Sequence, residues 1–268
     1  MKIVICAKEV LDPDAVDNYV LVGKLEIGDD GKTLTQKAIP RLMNGYDEQA
    51  IECALQLRDA GLDCKIHVVA VATDPTKILQ HAVAMGADEV AAIPVDTGTV
   101  DGYATASLLA AFVRSLGGAD LVLCGRQASD GDQAVVPGLL GEMLKMPIVT
   151  VARAVQMAGG TTVRVTRVTP DGDEIVEVSC PAVITISNEF GAPRYPTGMR
   201  TMKARKVKPQ QVTPDSLSLG EGGGRPRMTM TRQFVEAIAG NCEFIQGSSP
   251  AAAAQELLKR LRADRVIE

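Results

Sequence analysis

Apolar residues recur in two patterns along the first 147 positions: short continuous runs, and longer stretches in which they return every three or four residues. A continuous run bounded by turn residues is typical of a strand buried in a parallel sheet, and the helical spacing predicts amphipathic helices. The runs lie at 2–7, 65–72, 89–94 and 121–124, and the helical patterns lie at 46–60, 74–85, 101–116 and from 135 onward. This alternation predicts an α/β fold, with a mostly parallel sheet and helices on both faces.

The remaining segments interrupt or extend that sheet. Residues 8–42 are polar and glycine-punctuated, with a predicted hairpin around Asp29-Asp30-Gly31, and Asn44 is a candidate N-cap for the helix that follows. After residue 148 the alternation of apolar and polar residues predicts antiparallel strands with one solvent-exposed face, which extend the same sheet. A buried strand is predicted to follow them. These strands lie at 149–151, 161–168, 174–178 and 180–186.

The C-terminal third has a different character. Residues 188–208 carry many basic side chains. Three prolines and one glycine within or just after this segment argue against regular structure there: Pro193, Pro196, Gly198 and Pro209. Residues 215–227 are glycine-rich and predict a linker. A short helix over 233–238 and an amphipathic helix from Ser249-Pro250 are expected beyond it. We therefore divide the chain into an α/β domain, 1–214, and a linker with a C-terminal arm, 215–268.

Composition narrows the possible functions. The net charge of −5 and the 3% of aromatic residues disfavour a nucleic-acid surface. No apolar run approaches the roughly 20 residues that span a bilayer. The six cysteines form no C-x-x-C pair and predict reduced thiols in a cytoplasmic protein. Only His67 and His81 are present, so neither a metal site nor a histidine-based catalytic triad is expected.

The candidate binding chemistry lies after the strand at 121–124. There a polar loop, Gly125-Arg126-Gln127-Ala128-Ser129-Asp130-Gly131-Asp132, leads into a helix. In an open α/β sheet, ligands sit where a strand's carboxyl end faces a helix N-terminus, whose free amides and positive dipole end suit a phosphate. The strand ends at Cys6-Ala7 and Thr73 can share that crevice. Alternatively, Asp130 and Asp132 cap the helix and Gly131 serves an ordinary turn.

These residues resemble a known family. The core G-R-Q-A-S-D-G-D at 125–132 resembles the nucleotide-binding segment of the beta subunit of electron transfer flavoproteins. Four further segments match in the same order, at 3–8, 43–48, 84–88 and 189–205. The resemblance implies a Rossmann-like core of the adenine-nucleotide alpha-hydrolase-like type. It also implies a heterodimer with an alpha subunit, and no catalytic residue in this chain.

The same resemblance implies a nucleotide site. Its extended form G-R-Q-A-x-D-G-D-x-A-x-V is closer to the flavin-bifurcating branch, whose beta subunit holds FAD, than to the branch that holds AMP. We therefore expect FAD, with AMP as the alternative. The implied cofactor contacts are Cys6, Ala7, Asn44, Asp47, Thr73, Cys124, Gly125, Arg126, Gln127, Ala128, Asp130, Gly131, Asp132, Gln133, Ala134, Val135 and Val136.

The basic segment resembles the family's recognition loop, 189–208, which docks on acyl-CoA dehydrogenases. From the charges alone, a solvated loop would be the simpler interpretation. Gly198 stands where the family has an anchoring leucine, so Met199 is the expected substitute. The expected partner contacts are Arg194, Tyr195, Met199, Met202, Lys203 and Arg205.

The implied function is electron transfer between a dehydrogenase and a quinone-reducing or other acceptor, which is either membrane-associated or soluble. NADH-dependent flavin-based electron bifurcation is one form of this function. The chain itself is not expected to be membrane-embedded. Two other functions are compatible with an adenine-binding α/β core: a nucleotide hydrolase or adenylating enzyme, and a nucleotide sensor of the universal-stress type. The first would need a phosphate-cradling glycine loop or an acidic metal set after the first strand, and residues 6–10 offer neither.

Overall fold

Nine strands form one mixed sheet in the computed structural model, which describes residues 1–35, 38–220, 222–235 and 242–267. At its centre, five strands run parallel with buried side chains on both faces, as the continuous apolar runs predict. They are β1 (Lys2–Ala7), β4 (Lys65–Ala72), β5 (Glu89–Pro94), β6 (Leu121–Gly125) and β10 (Ala182–Ile186). The prediction of a mostly parallel sheet is confirmed.

Strands of mixed direction flank this core. On one side β7 (Ile148–Gly159) pairs parallel with β10, and β8 (Thr162–Thr169) and β9 (Gly172–Ser179) follow antiparallel. On the other side β11 (Gln210–Gln211) pairs with β5. The complete order is β11-β5-β4-β1-β6-β10-β7-β8-β9, so the antiparallel strands extend the same sheet as predicted.

Four of the helices cover the two faces of the sheet. They are α2 (Gly45–Asp59), α3 (Thr76–Met85), α4 (Gly102–Ser115) and α5 (Val136–Leu144). Helices α2 and α3 pack on the face that carries Ile3 and Ile5, whereas α4 and α5 pack on the face of Val4 and Cys6. Successive residues of β1 thus point to opposite faces.

The segment before α2 is more regular than the sequence pattern indicates. Helix α1 (Pro13–Leu21) lies within it, with Asp12 accepting hydrogen bonds from the amides of Asp14 and Ala15. A two-stranded sheet, β2 (Glu9–Leu11) with β3 (Arg41–Met43), brackets the segment. The predicted hairpin is confirmed by a bridge between Ile27 and Leu34. The pKa of Asp30 in its turn is lowered to about 2 by hydrogen bonds from the Thr33 hydroxyl and nearby amides.

The expectation of irregular structure over 188–208 is wrong in its middle. Helix α6 (Gly198–Ala204) forms there, because Thr197 caps it by accepting a hydrogen bond from the Arg200 amide and the prolines fall outside its seven residues. The short helix expected over 233–238 is not formed at 233–235, and 236–238 lie outside the described residues.

The chain divides into two compact units, Met1–Gln233 and Phe234–Glu268. The second contains α7 (Pro250–Ala263), which begins where predicted, with Ser249 accepting a hydrogen bond from the Ala252 amide. Its Leu257 and Leu258 are exposed. None of the described helices is long and apolar enough to cross a bilayer.

Candidate nucleotide site and recognition loop

The carboxyl ends of β1 and β6 lie side by side. Cys6 and Cys124 are register partners in the parallel ladder, and both are buried. A hydrogen bond with the Cys6 thiol and burial raise the pKa of Cys124 well above its ordinary value, so this thiol stays protonated. The Cys124 sulfur therefore contributes a neutral, weakly polar surface at the end of the sheet.

Asp47, in the first turn of α2, joins these strand ends. Its carboxylate accepts hydrogen bonds from the amides of Lys8, at 2.8 Å, and of Gly125, at 2.9 Å. A Cβ at position 125 would lie 2.5 Å from Asp47 Oδ1 and 2.6 Å from Tyr46 Cβ. Only glycine lets the helix approach the strand this closely. Gly125 is thus required by packing, whatever it contacts in a ligand.

Burial dominates the ionisation of Asp47. The side chain is 4% exposed, and loss of hydration raises its pKa to about 7, although the hydrogen bonds from Lys8, Asn44 and Gly125 act in the opposite direction. Protonation would cost the carboxylate one of its acceptor sites. The site therefore holds a carboxyl group whose charge changes close to neutral pH.

Asn44 connects the start of α2 to the loop. It stands at the N-cap position, as predicted, but its side chain makes no capping hydrogen bond. Instead the side-chain amide donates to the Gln127 carbonyl at 2.8 Å, and its oxygen accepts from the Ser129 amide at 3.3 Å. Asn44 thus fixes the loop by acting as both donor and acceptor on its backbone.

The loop carboxylates do not cap α5, which excludes the simplest alternative for Asp130 and Asp132. Asp130 forms an ion pair with Lys8, at 2.6 Å, and Asp132 accepts a hydrogen bond from the Gln127 side chain, at 2.7 Å. Val135 occupies the N-cap position, and no described side chain accepts from the first-turn amides. Pro137 has no N–H and the Leu139 amide donates to the Val135 carbonyl, so the amides of Val136 and Gly138, with the positive end of the helix dipole, remain available to an anion.

Arg126 supplies a positive charge at the same end of the sheet. Its guanidinium donates to Ser187 Oγ at 3.5 Å and to Asn188 Oδ1 at 3.4 Å, and it lies 5.8 Å from the centre of the Tyr46 ring. Within the described ranges it makes no carboxylate contact. Arg126 can therefore bind an anionic or aromatic group without first breaking an ion pair.

Thr73, another predicted contact, follows β4 at the same sheet edge, and its hydroxyl donates to the Val95 carbonyl at 3.3 Å. The exposed residues of the loop before α5 include Asp132, with φ 47°, and Ala134, with φ 53°. Such left-handed backbone in non-glycine residues is a strained conformation, and it marks where the chain turns to start the helix.

A cavity of about 530 Å³ borders the end of this loop and was not predicted. Its lining is almost entirely apolar and includes Val135, Leu139, Tyr103 and Met228. Asp101 lies in its lining: one oxygen caps α4, and the other accepts from the amides of Arg227 and Met228 at 2.6 and 2.8 Å. The sequence identifies Asp101-Gly102 as the start of a helix, but the hydrophobic pattern does not predict that residues 227–228 lie beside it.

The predicted partner contacts fall into two groups. Tyr195, Met199 and Met202 are 96%, 69% and 70% exposed, respectively, a high value for large apolar side chains. Lys203 and Arg205 are also exposed and form no ion pair within the described part of the chain. Arg194 differs, because Glu52 and Asp59 of α2 bind its guanidinium.

The sequence matches a known family over a segment that includes α2, β6, the loop and α5. The model of the family described as "Electron transfer flavoprotein domain" matches residues 32–217. The chain belongs to the electron transfer flavoprotein family. Beta subunits from Syntrophomonas wolfei, 35% identical over 78% of both chains, and Clostridium acetobutylicum, 31% identical over 97% of both, are among its relatives. It is therefore a beta subunit, an electron-transfer component.

Another relative of this electron transfer flavoprotein subunit is the "Caffeyl-CoA reductase-Etf complex subunit CarD" of Acetobacterium woodii, 29% identical over the whole of both chains. The family match favours electron transfer over the hydrolase and stress-sensor alternatives. Free amides at the start of α5 and the guanidinium of Arg126 are donors of the kind that bind phosphate groups.

The titration of Asp47 makes a stability prediction. The folded protein keeps a proton that the unfolded chain, with an ordinary aspartate pKa of 3.8, has already released, so stability falls as pH rises from about 4 to 7. Relative to Asp47→Asn, the wild type should lose free energy of unfolding across this range, by at most about 1.4 kcal/mol per pH unit. Urea unfolding at pH 5 to 8 measures this difference.

Asp171→Asn, which removes an exposed carboxylate in the turn between β8 and β9, is the matched control and should parallel the wild type at every pH. Parallel curves for the wild type and Asp47→Asn would mean that Asp47 does not titrate in this interval.

Proposed function

We propose that this beta subunit pairs with an electron transfer flavoprotein alpha subunit and binds FAD, rather than AMP, at the crevice between β1, β6 and the start of α5. A bound flavin supplies one- and two-electron chemistry, and the chain's residues bind and orient it. Asn44 and Asp47 hold the crevice, while Arg126 and the uncapped α5 amides take the phosphates. The observation that carries this proposal is that the loop carboxylates are engaged elsewhere and leave those amides open.

Two observations support FAD over AMP. The loop has the glycine-containing form G-R-Q-A-x-D-G-D, and a Cβ built at Gly131 would meet nothing within 4 Å, so a pyrophosphate has room to approach the backbone. The relative from the caffeyl-CoA reductase complex matches over its full length. The glycine-containing loop and this relative also lead us to propose that the heterodimer carries out NADH-dependent electron bifurcation.

We further propose an acyl-CoA dehydrogenase or a related CoA-thioester reductase as electron-exchange partner. The names of two relatives contain such enzymes, caffeyl-CoA reductase and, in Anaerotignum propionicum, acryloyl-CoA reductase. The exposed Met199 and Met202 beside uncompensated basic residues suit an apolar pocket with an acidic rim. We also propose that the electrons pass to a quinone-reducing or soluble acceptor, and that the protein is located in the cytoplasm. Finally, we propose that residues 1–214 form the α/β domain and that residues 215–268 form a linker and arm that contacts the alpha subunit.

Cofactor stoichiometry tests the nucleotide assignment. The purified heterodimer should release two FAD, counted by absorbance and chromatography after denaturation. Gly131→Ala should lose one of them, because the added methyl group occupies the space left for the pyrophosphate. The matched control Gly98→Ala, at another glycine with ordinary backbone geometry, should retain both.

One FAD with one AMP would establish the alternative cofactor at the same site. A heterodimer that releases no nucleotide beyond the alpha subunit's own would contradict the proposed site.

Charge reversal tests the recognition loop. Lys203→Glu with Arg205→Glu should slow electron transfer with a purified acyl-CoA dehydrogenase by about tenfold or more at low ionic strength, because rim charges steer association. The deficit should shrink as salt is added. Lys32→Glu with Lys145→Glu makes the same change in net charge outside the loop and should leave the rate nearly unchanged. Equal effects of the two double variants would refute local steering.

Truncation tests the arm. A chain ending at Gly247 lacks α7, whose Leu257 and Leu258 are exposed, and it should associate with the alpha subunit at least tenfold more weakly in analytical ultracentrifugation. Leu257→Ala with Leu258→Ala should weaken association too, whereas Lys259→Ala should not. An intact heterodimer after truncation would remove the arm from the interface.

A further inference from the structure

One side of α2 holds the first part of the recognition loop, 189–208. Gln49 donates its side-chain amide to the carbonyls of Asn188, at 3.2 Å, and Gly191, at 2.9 Å. Glu52 and Asp59 contact Arg194 further along the same helix. The spacing of three and seven residues places all three α2 side chains on one stripe. The loop is therefore tied to the helix that also starts at the nucleotide crevice.

The contact between Glu52 and Arg194 is the most extensive of these ties. Glu52 accepts from the Arg194 amide at 3.0 Å and from its guanidinium at 2.8 and 3.0 Å, while Asp59 accepts from the same guanidinium at 2.7 Å. Such two-pronged pairing fixes direction as well as distance. Glu52 is only 5% exposed, so water competes weakly for it.

Glu52 stays ionised in spite of its burial. Burial raises its pKa, but the hydrogen bonds from Arg194 and from Gln56, whose amide donates at 3.2 Å, more than offset this and leave a net lowered pKa. A buried carboxylate with every oxygen engaged is stable only while its partners keep their places. The loop backbone at 194 is thereby fixed to the helix.

The far end of the loop is tied to α3. Gln80 donates to the carbonyls of Arg205 and Val207, both at 3.0 Å, and Ala204 of α6 is buried. Between the two ties lie the exposed Tyr195, Met199 and Met202. These apolar side chains are consequently presented from a segment held at both ends.

We propose that Glu52 is a positioning residue for partner docking, which acts through Arg194. The charge of Arg194 is already neutralised by Glu52 and Asp59, so Arg194 serves as the loop's inner anchor, and the steering charges are those of Lys203 and Arg205. This inference rests on the proposed function of the loop. Pre-ordering the loop lowers the entropy lost on docking, so its effect falls on partner affinity and leaves the electron-transfer step unchanged.

The test uses the full-length heterodimer and a purified acyl-CoA dehydrogenase. Glu52→Gln should raise the apparent KM for the heterodimer at least fivefold while kcat stays within twofold. Arg194→Gln should do the same, and the double variant should be no worse than either single variant, because one contact is lost in each case. Trypsin should cleave after Arg200, Lys203 or Arg205 faster in these variants, measured by mass spectrometry without the partner.

Glu177→Gln is the matched control, since Glu177 binds Arg164 through two hydrogen bonds, at 3.0 and 2.7 Å, between β8 and β9. It should change neither the KM nor the cleavage of the loop. An unchanged KM for Glu52→Gln overturns the inference, as does a fall in kcat alone. If Glu52→Gln leaves the KM unchanged, Met199→Ala shows which proposal has failed. An unchanged KM for Met199→Ala as well means that the loop does not dock on the dehydrogenase. A raised KM for Met199→Ala means that the loop docks and that only the positioning role of Glu52 is lost.

Discussion

The carboxylate of Asp47 is the contact on which the rest of this structure depends. It joins the amide of Lys8, which follows β1, and the amide of Gly125, which ends β6, to the first turn of α2. The backbone of Gly125 approaches the helix closely enough that no other residue fits. The resulting junction determines where the loop begins, and Asn44, three residues earlier, determines the path that it follows.

Helix α2 consequently serves two functions of the protein. Its N-terminus holds the proposed nucleotide crevice, and its flank, through Gln49 and Glu52, holds the segment that carries the exposed Met199, the proposed partner contact. Both ends of this connection belong to one helix of 15 residues, buried along most of its length, within the first compact unit.

Hydrophobic periodicity was sufficient to predict the parallel sheet and its main helices. It failed at α1, although Asp12-Pro13 is a normal helix start, because the surrounding segment is polar and lacks a clear apolar stripe. It failed at α6 because the prolines around this helix mask a run of seven residues from Gly198 that contains none. In the site, the residue types were found through the family resemblance. Their partners could not be predicted, since Arg194 binds Glu52 and Asp59 across 142 and 135 residues of chain.

The position of Asn44 has a further consequence for chemical durability. Asparagine followed by glycine, as in Asn44-Gly45, is the pair most prone to cyclise to a succinimide and deamidate, because the glycine amide is unhindered. In the folded protein the side chain is 1% exposed and both of its polar atoms are engaged with the loop backbone, which opposes the attack. An aspartate formed there during partial unfolding could no longer donate to Gln127 and would add a second negative charge beside Asp47. The hydrogen bonds that hold the loop thus also protect the Asn-Gly pair of this chain from deamidation.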